Sequence, residues 1–288
     1  MRWRTRLVGG LVLAAMAAAS AWADGAIPVG SAEAVADLGG TALTVFTYKP
    51  EGCTPRAMLL VFHGVGRNAD GYRDHARPLA QSLCLLVVAP RFDQARFPRW
   101  RYQEGGVIRH GTAQPPQSWT GTLAIELVDW VRQREAAPSL PYDLLGHSAG
   151  AQFVDRLAAF VPNHAHRIVI ANPSTYVRAR LDLAAPFGFA GLYPGDEASA
   201  ALKRYLAAPI TVLLGQADTL SKNLAESPEA QDQGATRYAR GQFVFHEAER
   251  VAAEHGWPFA WRLAEVPGVG HDAKEMFASP QAAAALQP

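Results

Sequence analysis

The stretch YDLLGHSAGAQ, residues 142–152, holds a serine between two glycines: Gly146-His147-Ser148-Ala149-Gly150. The strand-length segment YDLL precedes it, and the helical pattern AGAQFVDRLAAFV follows. Where a strand turns sharply into a helix, the serine occupies a strained turn and its hydroxyl is lifted above the sheet. Glycines on both sides remove the Cβ atoms that would hold strand and helix apart. The competing reading is a glycine-bounded turn that happens to carry a serine. Residues further along the chain separate the two.

A nucleophile mounted in this way needs an acid and then a histidine, in that order. Asp218 closes the apolar run ITVLLGQAD, and His271 follows WRLAEVPGVG, so each falls at the carboxyl end of a later strand. His271 can then take the proton of Ser148 while Asp218 fixes the imidazole tautomer and stabilises the imidazolium. Taken singly, Asp218 reads equally as a loop cap and His271 as a helix-start residue before DAKEMF. The ordered set of three favours the catalytic reading. Charge developing on a substrate carbonyl also needs amide donors. The backbone N–H of Ala149 supplies one, and that of Val65, in LLVFHGVGRNAD, the other. His63 in the same loop is read as a brace rather than as the base.

Strand-length and helix-length patterns alternate around these residues. LTVFTY alternates as a half-buried strand does, whereas AMLLVF and LCLLVVAP are continuous apolar runs suited to strands covered on both faces. Between them ADGYRDHARPLAQSL reads as a crossover helix that Pro78 must kink or delay. SWTGTLAIELVDWVRQRE places Leu123, Leu127, Trp130 and Val131 on one helical face. HRIVIANP, PITVLLGQADT and WRLAEVPGVGH read as strands, RGQFVFHEAERVAAEHG as a helix, and residues 174–208 as irregular. The alternation predicts an α/β fold with a doubly wound, mostly parallel sheet in a single domain over residues 24–288. About seven strands are legible; the first, somewhere in IPVGSAEAVADLGGTALTVFTY, is not.

Residues 1–23 read as a signal peptide: MRWRTR supplies positive charge, LVGGLVLAAMAAAS an apolar core, and Ala21-Trp22-Ala23 a small-x-small cleavage site. The mature chain is therefore expected to be periplasmic or secreted, with no membrane span once the leader is removed. The three leader arginines account for the change in formal charge from +1 to −2 on cleavage. That near-neutral balance offers no electrostatic footprint for nucleic acid. Cys53 and Cys84 are the two cysteines. They precede adjacent strands at the same end of the sheet, which favours a disulfide over two separate buried thiols.

VFHGVGRNAD, GHSAG, LLGQADT and VPGVGHDAKEMF together resemble the α/β-hydrolase superfamily over nearly the whole mature chain. Within it the chain is most similar to secreted esterases of the polyhydroxybutyrate-depolymerase and feruloyl-esterase type, through Arg67-Asn68-Ala69 and the single domain behind a leader. The resemblance implies a sheet of about eight strands.

The loop RFDQARFPRWRYQEGG opens on the same rim as Ser148, so Phe92, Phe97, Trp100 and Tyr102 are candidate substrate-binding residues, as is Tyr176 after another strand. Packing beneath a long loop is the alternative for each. TLSKNLAESPEAQDQGATRYARGQ is long and polar enough for a rim or partial lid, and Arg237 and Arg240 within it are read as solvated surface residues. Neither a metal-ligand cluster nor a phosphate or dinucleotide loop is evident, so no metal or cofactor is expected. The expected activity is a serine hydrolase acting on carboxylic esters, small or polymeric. A peptidase on the same scaffold and an inactive hydrolase-like binding protein are the rivals.

Overall fold

The computed structural model describes residues 25–287, so the predicted leader lies outside the described residues. The strands are β1 (Gly30–Leu38), β2 (Thr41–Lys49), β3 (Ala57–Phe62), β4 (Leu85–Pro90), the short β5 (Ile108–Arg109) and β6 (Thr112–Ala113), β7 (Tyr142–His147), β8 (Arg167–Ala171), β9 (Ile210–Gly215) and β10 (Arg262–Val266). The helices are α1 (Ala69–Leu83), α2 (Arg99–Tyr102), α3 (Thr120–Arg134), α4 (Ala149–Phe160), α5 (Glu197–Leu206), α6 (Pro228–Gln231), α7 (Arg237–His255), α8 (Ala273–Ala278) and α9 (Pro280–Leu286). Eight strands form one sheet in the order β1-β2-β4-β3-β7-β8-β9-β10. The pairs β1–β2 and β2–β4 are antiparallel and all others parallel.

The burial of each strand follows its composition. β3, β4, β7 and β9 are buried at every position; for β3 and β4 this follows from continuous apolar runs covered on both faces. β1 alternates exposed and covered residues at the sheet edge. Helices α1, α8 and α9 cover one face, and α3, α4, α5 and α7 the other. Among the described residues no helix is long and apolar enough to cross a membrane.

Three elements differ from the sequence expectation. The unclear first strand is a hairpin, β1–β2, turned by Gly39 and Gly40 at positive φ. α5 lies within the stretch expected to be irregular. α1 continues unbroken through Pro78; the hydrogen bond that Pro78 cannot donate would go to Asp74, which faces solvent. Cys53 and Cys84 are bridged, with Cα atoms 6.3 Å apart across a sequence separation of 31. Closing a loop of that length is worth about 3–4 kcal/mol in the chain-entropy model.

α4 is buried along its whole length, so its polar side chains must be satisfied internally. Asp155 accepts from the Val177 N–H at 2.6 Å and the Tyr205 hydroxyl at 2.5 Å. Arg156 pairs with Asp155 at 3.2 Å and donates to the Thr175 carbonyl at 2.7 Å. These bonds tie the helix behind Ser148 to the segment that follows β8.

Asp143, at the amino end of β7, is less well served: both carboxylate oxygens are buried without a full hydrogen bond. Burial raises its pKa to about 6, against the pull of Arg56, His166 and Arg167. An unfolded aspartate titrates near 3.9, as a general reference value. The contribution to stability is therefore complete below that value and is lost as pH rises through about 6. Asp143→Asn is expected to raise Tm by a few degrees at pH 8, and calorimetry at pH 4 should find that advantage gone.

Candidate active site

β7 runs directly into Ser148, whose backbone sits at φ 59°, ψ −119°, a region that L-residues rarely occupy. Such a residue costs about 1–3 kcal/mol and persists only when its surroundings hold it there. They do so by close approach. A Cβ on Gly146 would lie 2.3 Å from the Gly150 carbonyl oxygen, and one on Gly150 would lie 2.0 Å from that of Phe62. The Ser148 N–H donates to Ala171 at 3.0 Å, and its carbonyl accepts from Gln152 at 3.1 Å. Ser148 is thus left at the rim, partly exposed, at the head of α4.

The structure brings the other two residues to it. His271 Nε2 is 2.9 Å from Ser148 Oγ, and His271 Nδ1 is 2.7 Å from Asp218 Oδ2. With a neutral imidazole, Nδ1–H donates to the carboxylate and Nε2 accepts from the hydroxyl. Asp218 is 1% exposed, and its other oxygen faces the buried Arg237 guanidinium at 3.4 Å. Arg237 also donates to the carbonyls of Leu220 at 3.2 Å and Lys222 at 2.6 Å, fixing the loop that leaves β9.

The acid and histidine loops are locked together. Asn172, at φ 48°, accepts from the Gly215 N–H at 2.9 Å and donates to the Gly270 carbonyl at 3.2 Å. A Cβ on Gly215 would meet the Val269 carbonyl at 2.5 Å. Beneath His271 lies the buried ring of His147, with centroids 4.6 Å apart. Burial, then the nearness of His271 and Arg237, holds His147 well below the ordinary histidine range, so it stays neutral. The Tyr72 hydroxyl, pushed up to about 12 by burial, meets His147 Nδ1 at 3.2 Å.

The loop after β3 packs against the serine. A Cβ on Gly64 would lie 3.7 Å from Ser148 Cβ, and the Arg67 N–H closes a turn on the Gly64 carbonyl at 3.2 Å. Val65 forms the exposed crest of that turn. Ala149, the first residue of α4, has an N–H with no intrahelical acceptor. His63 is a brace: its Nε2 accepts from the Phe92 N–H at 3.1 Å, its Nδ1 meets the Gly64 carbonyl at 3.0 Å, and the Tyr102 hydroxyl donates to its carbonyl at 2.8 Å. Burial pulls His63 down to about 4, so it remains uncharged.

This arrangement has counterparts among known proteins. The chain is 35% identical to the poly(3-hydroxybutyrate) depolymerase LpqC from Bordetella parapertussis, with a TM-score of 0.81 over 87% of this chain and 88% of that one. The chain is an α/β hydrolase. It belongs to the family of serine hydrolases that contains this depolymerase. It is also 34% identical to poly(aspartic acid) hydrolase-1 from Sphingomonas sp. KT-1, with a TM-score of 0.81 over 87% of this chain and 96% of that one. Monoglyceride lipase from Homo sapiens is 28% identical over 130 residues, a match that spans 44% of this chain and 37% of the lipase. No family model matches the chain.

The hydrolase corrects several sequence expectations around this centre. Phe92, Phe97, Tyr102 and Tyr176 are buried to 1% exposure or less and present no surface to a ligand. Phe92 packs with Phe97, Tyr102 and Phe153, at centroid separations of 4.9, 5.2 and 5.2 Å, beneath the rim loop. Of the five aromatic candidates, Trp100 is the partly exposed one. Arg237 and Arg240 are buried rather than solvated; Arg240 donates to the carbonyls of Ser174, Ala225 and Gly234, pinning the long polar connection. Sequence reading missed Asn172, Tyr72 and the anchoring role of Arg237. It also missed Val65 and Leu220 as exposed apolar side chains on the loops after β3 and β9. A signal existed for Asn172, since asparagine tolerates the left-handed conformation. Among the described residues no group of three or more His, Cys, Asp or Glu side chains is placed to hold a metal ion.

Gly150→Ala should drive α4 off β3 and cost about 3 kcal/mol or more. Gly66→Ala meets only the tip of the Asn68 side chain, at 3.2 Å, and should stay within about 1 kcal/mol of the parent. Urea-unfolding midpoints of the two variants measure the contrast.

Proposed function

We propose that the chain is an exported serine esterase that cleaves carboxylic esters through an acyl-enzyme. The unbroken relay from Ser148 through His271 to Asp218, at 2.9 and 2.7 Å, carries this reading. Ser148 Oγ attacks the ester carbonyl as His271 Nε2 accepts its proton. The imidazolium is stabilised by Asp218, and the oxyanion by the N–H groups of Ala149 and Val65. One well-placed donor of that kind is worth roughly 3–4 kcal/mol. His271 then returns the proton to the departing alcohol, and a water, deprotonated by the same nitrogen, releases the acid. The signal-like residues 1–23 and the disulfide between Cys53 and Cys84 favour an oxidising destination outside the cytoplasm.

The similarity to a poly(3-hydroxybutyrate) depolymerase supports an ester as the scissile bond. One observation favours a second reading: the relative at 34% identity is a hydrolase of poly(aspartic acid), a polyamide. Ser148→Ala should lower turnover of p-nitrophenyl butyrate by at least about a thousandfold with Tm unchanged, and should abolish labelling by a fluorophosphonate. Retained labelling in that variant would remove Ser148 as the nucleophile. The matched anilide, butyryl p-nitroanilide, separates the two bonds: the ester reading expects it to be cleaved far more slowly than the ester.

A further inference from the structure

A cavity of about 450 Å³ opens in the loop between β4 and α3. Its wall includes Arg96, Trp100, Arg101, Arg109, Gln114 and Ser118, and no carboxylate. The loop leaves the carboxyl end of β4, while Ser148 leaves that of β7, and one strand, β3, separates them. Two strand spacings place those ends about 10 Å apart along the same rim. The loop is also hung on the turn beside the serine. The Phe92 N–H and the Tyr102 hydroxyl both bond to His63, and Arg67 donates to the Phe92 carbonyl at 2.8 Å.

The charges of the loop do not cancel. Asp93 is taken by Arg96, at 2.6 Å, and Glu104 by Arg99, at 2.9 Å. Arg91, Arg101 and Arg109 are left without a carboxylate among the described residues; Arg91 turns to Thr44 and Phe46, and the other two line the cavity. Arg101 donates to the Arg96 carbonyl at 3.1 Å and lies 4.8 Å from the centre of the Phe97 ring; Arg109 lies over Trp100 at 5.3 Å. Burial lowers the Arg101 pKa, and the charges of Arg109 and Arg96 add to that effect. The framework around them is fixed. His110 and Gly111, at φ 48° and 75°, make the tight turn of the β5–β6 hairpin that ends on Arg109. The Gln114 N–H bonds to Val107 at 2.8 Å, and the Trp119 indole bonds to the Gln114 carbonyl at 2.8 Å.

Two guanidiniums without a carboxylate partner face one cavity, and their planar donor forks match a carboxylate. The Trp100 ring adds an apolar flank for the carbon chain that bears it. We propose that this cavity is a carboxylate subsite, through which the hydrolase selects esters carrying a second, remote carboxylate. As a statement about substrate choice it rests on the esterase reading above; as a binding site it does not.

The test compares p-nitrophenyl hydrogen suberate with p-nitrophenyl octanoate, an anionic and a neutral ester of equal chain length. The parent enzyme is expected to favour the anionic ester by about tenfold in kcat/KM, mainly through KM. That preference should shrink as NaCl rises from about 0.05 to 0.5 M. In Arg101→Gln/Arg109→Gln the ratio of the two kcat/KM values should fall to near one, and in Arg101→Lys/Arg109→Lys it should recover in part. A parent ratio near one, or one unmoved by the double glutamine variant, overturns the proposal. If the double variant does not fold, Arg109→Gln, at an exposed position, takes its place with the same criterion. If neither ester is turned over, the esterase reading has failed and the subsite is judged by binding alone. Calorimetric titration of free suberate into Ser148→Ala should then show sub-millimolar binding that the arginine variant loses. No heat, or inorganic phosphate bound in preference to suberate, rejects the carboxylate subsite.

Discussion

The backbone contact between α4 and β3 governs this site. The first turn of the helix lies so close to the Phe62 and His63 carbonyls that position 150 cannot carry a Cβ, and the same crowding excludes one at Gly146. With β7 and α4 held at that distance, the single residue between them, Ser148, has to reverse the chain and is driven to positive φ. The strain at Ser148 is therefore a consequence of packing, and the packing is that of a helix buried on every side. A helix so placed cannot leave its polar groups to water, which accounts for the network of Asp155, Arg156, Thr175 and Tyr205 behind it.

The rest of the site answers a second problem, that of bringing loops from strands β9 and β10 to the head of α4 and keeping them there. The solution is a set of buried polar anchors. Asn172 joins the acid and histidine loops, Arg237 spans Asp218 and the carbonyls beyond it, and His63 joins the β3 and β4 loops. Each anchor satisfies backbone groups that would otherwise be stranded away from water, and each thereby positions a side chain or an amide at the rim. The neutral ring of His147 completes the support beneath His271 without adding a charge under the imidazole.

Much of this was legible along the chain. The apolar runs of β3 and β4 are so uniform that only a sheet covered on both faces accommodates them. The glycines around Ser148 announce a close approach, and the order Ser148, Asp218, His271 anticipates which residues the structure brings within hydrogen-bonding distance. The bridge between Cys53 and Cys84 follows from two parallel strands starting side by side. By contrast, α5 was hidden among prolines and glycines, and the Gly39-Gly40 turn was hidden by the weak alternation of the edge strand beside it.

Local pattern thus determined the order of elements, the parallel sheet and the residues that meet at its rim, because strand burial, helical periodicity and glycine spacing are properties of neighbours in sequence. Tertiary structure alone decided which polar and aromatic side chains went inside. Phe92, Tyr102 and Tyr176 look like a ligand wall, and Arg237 and Arg240 like surface charge, until the loops close over them. The reason is physical: a buried guanidinium becomes tolerable only when carbonyls or a carboxylate from distant segments converge on it, and an aromatic ring is core or surface according to what packs above it. Neither condition is written within a few residues of the side chain concerned.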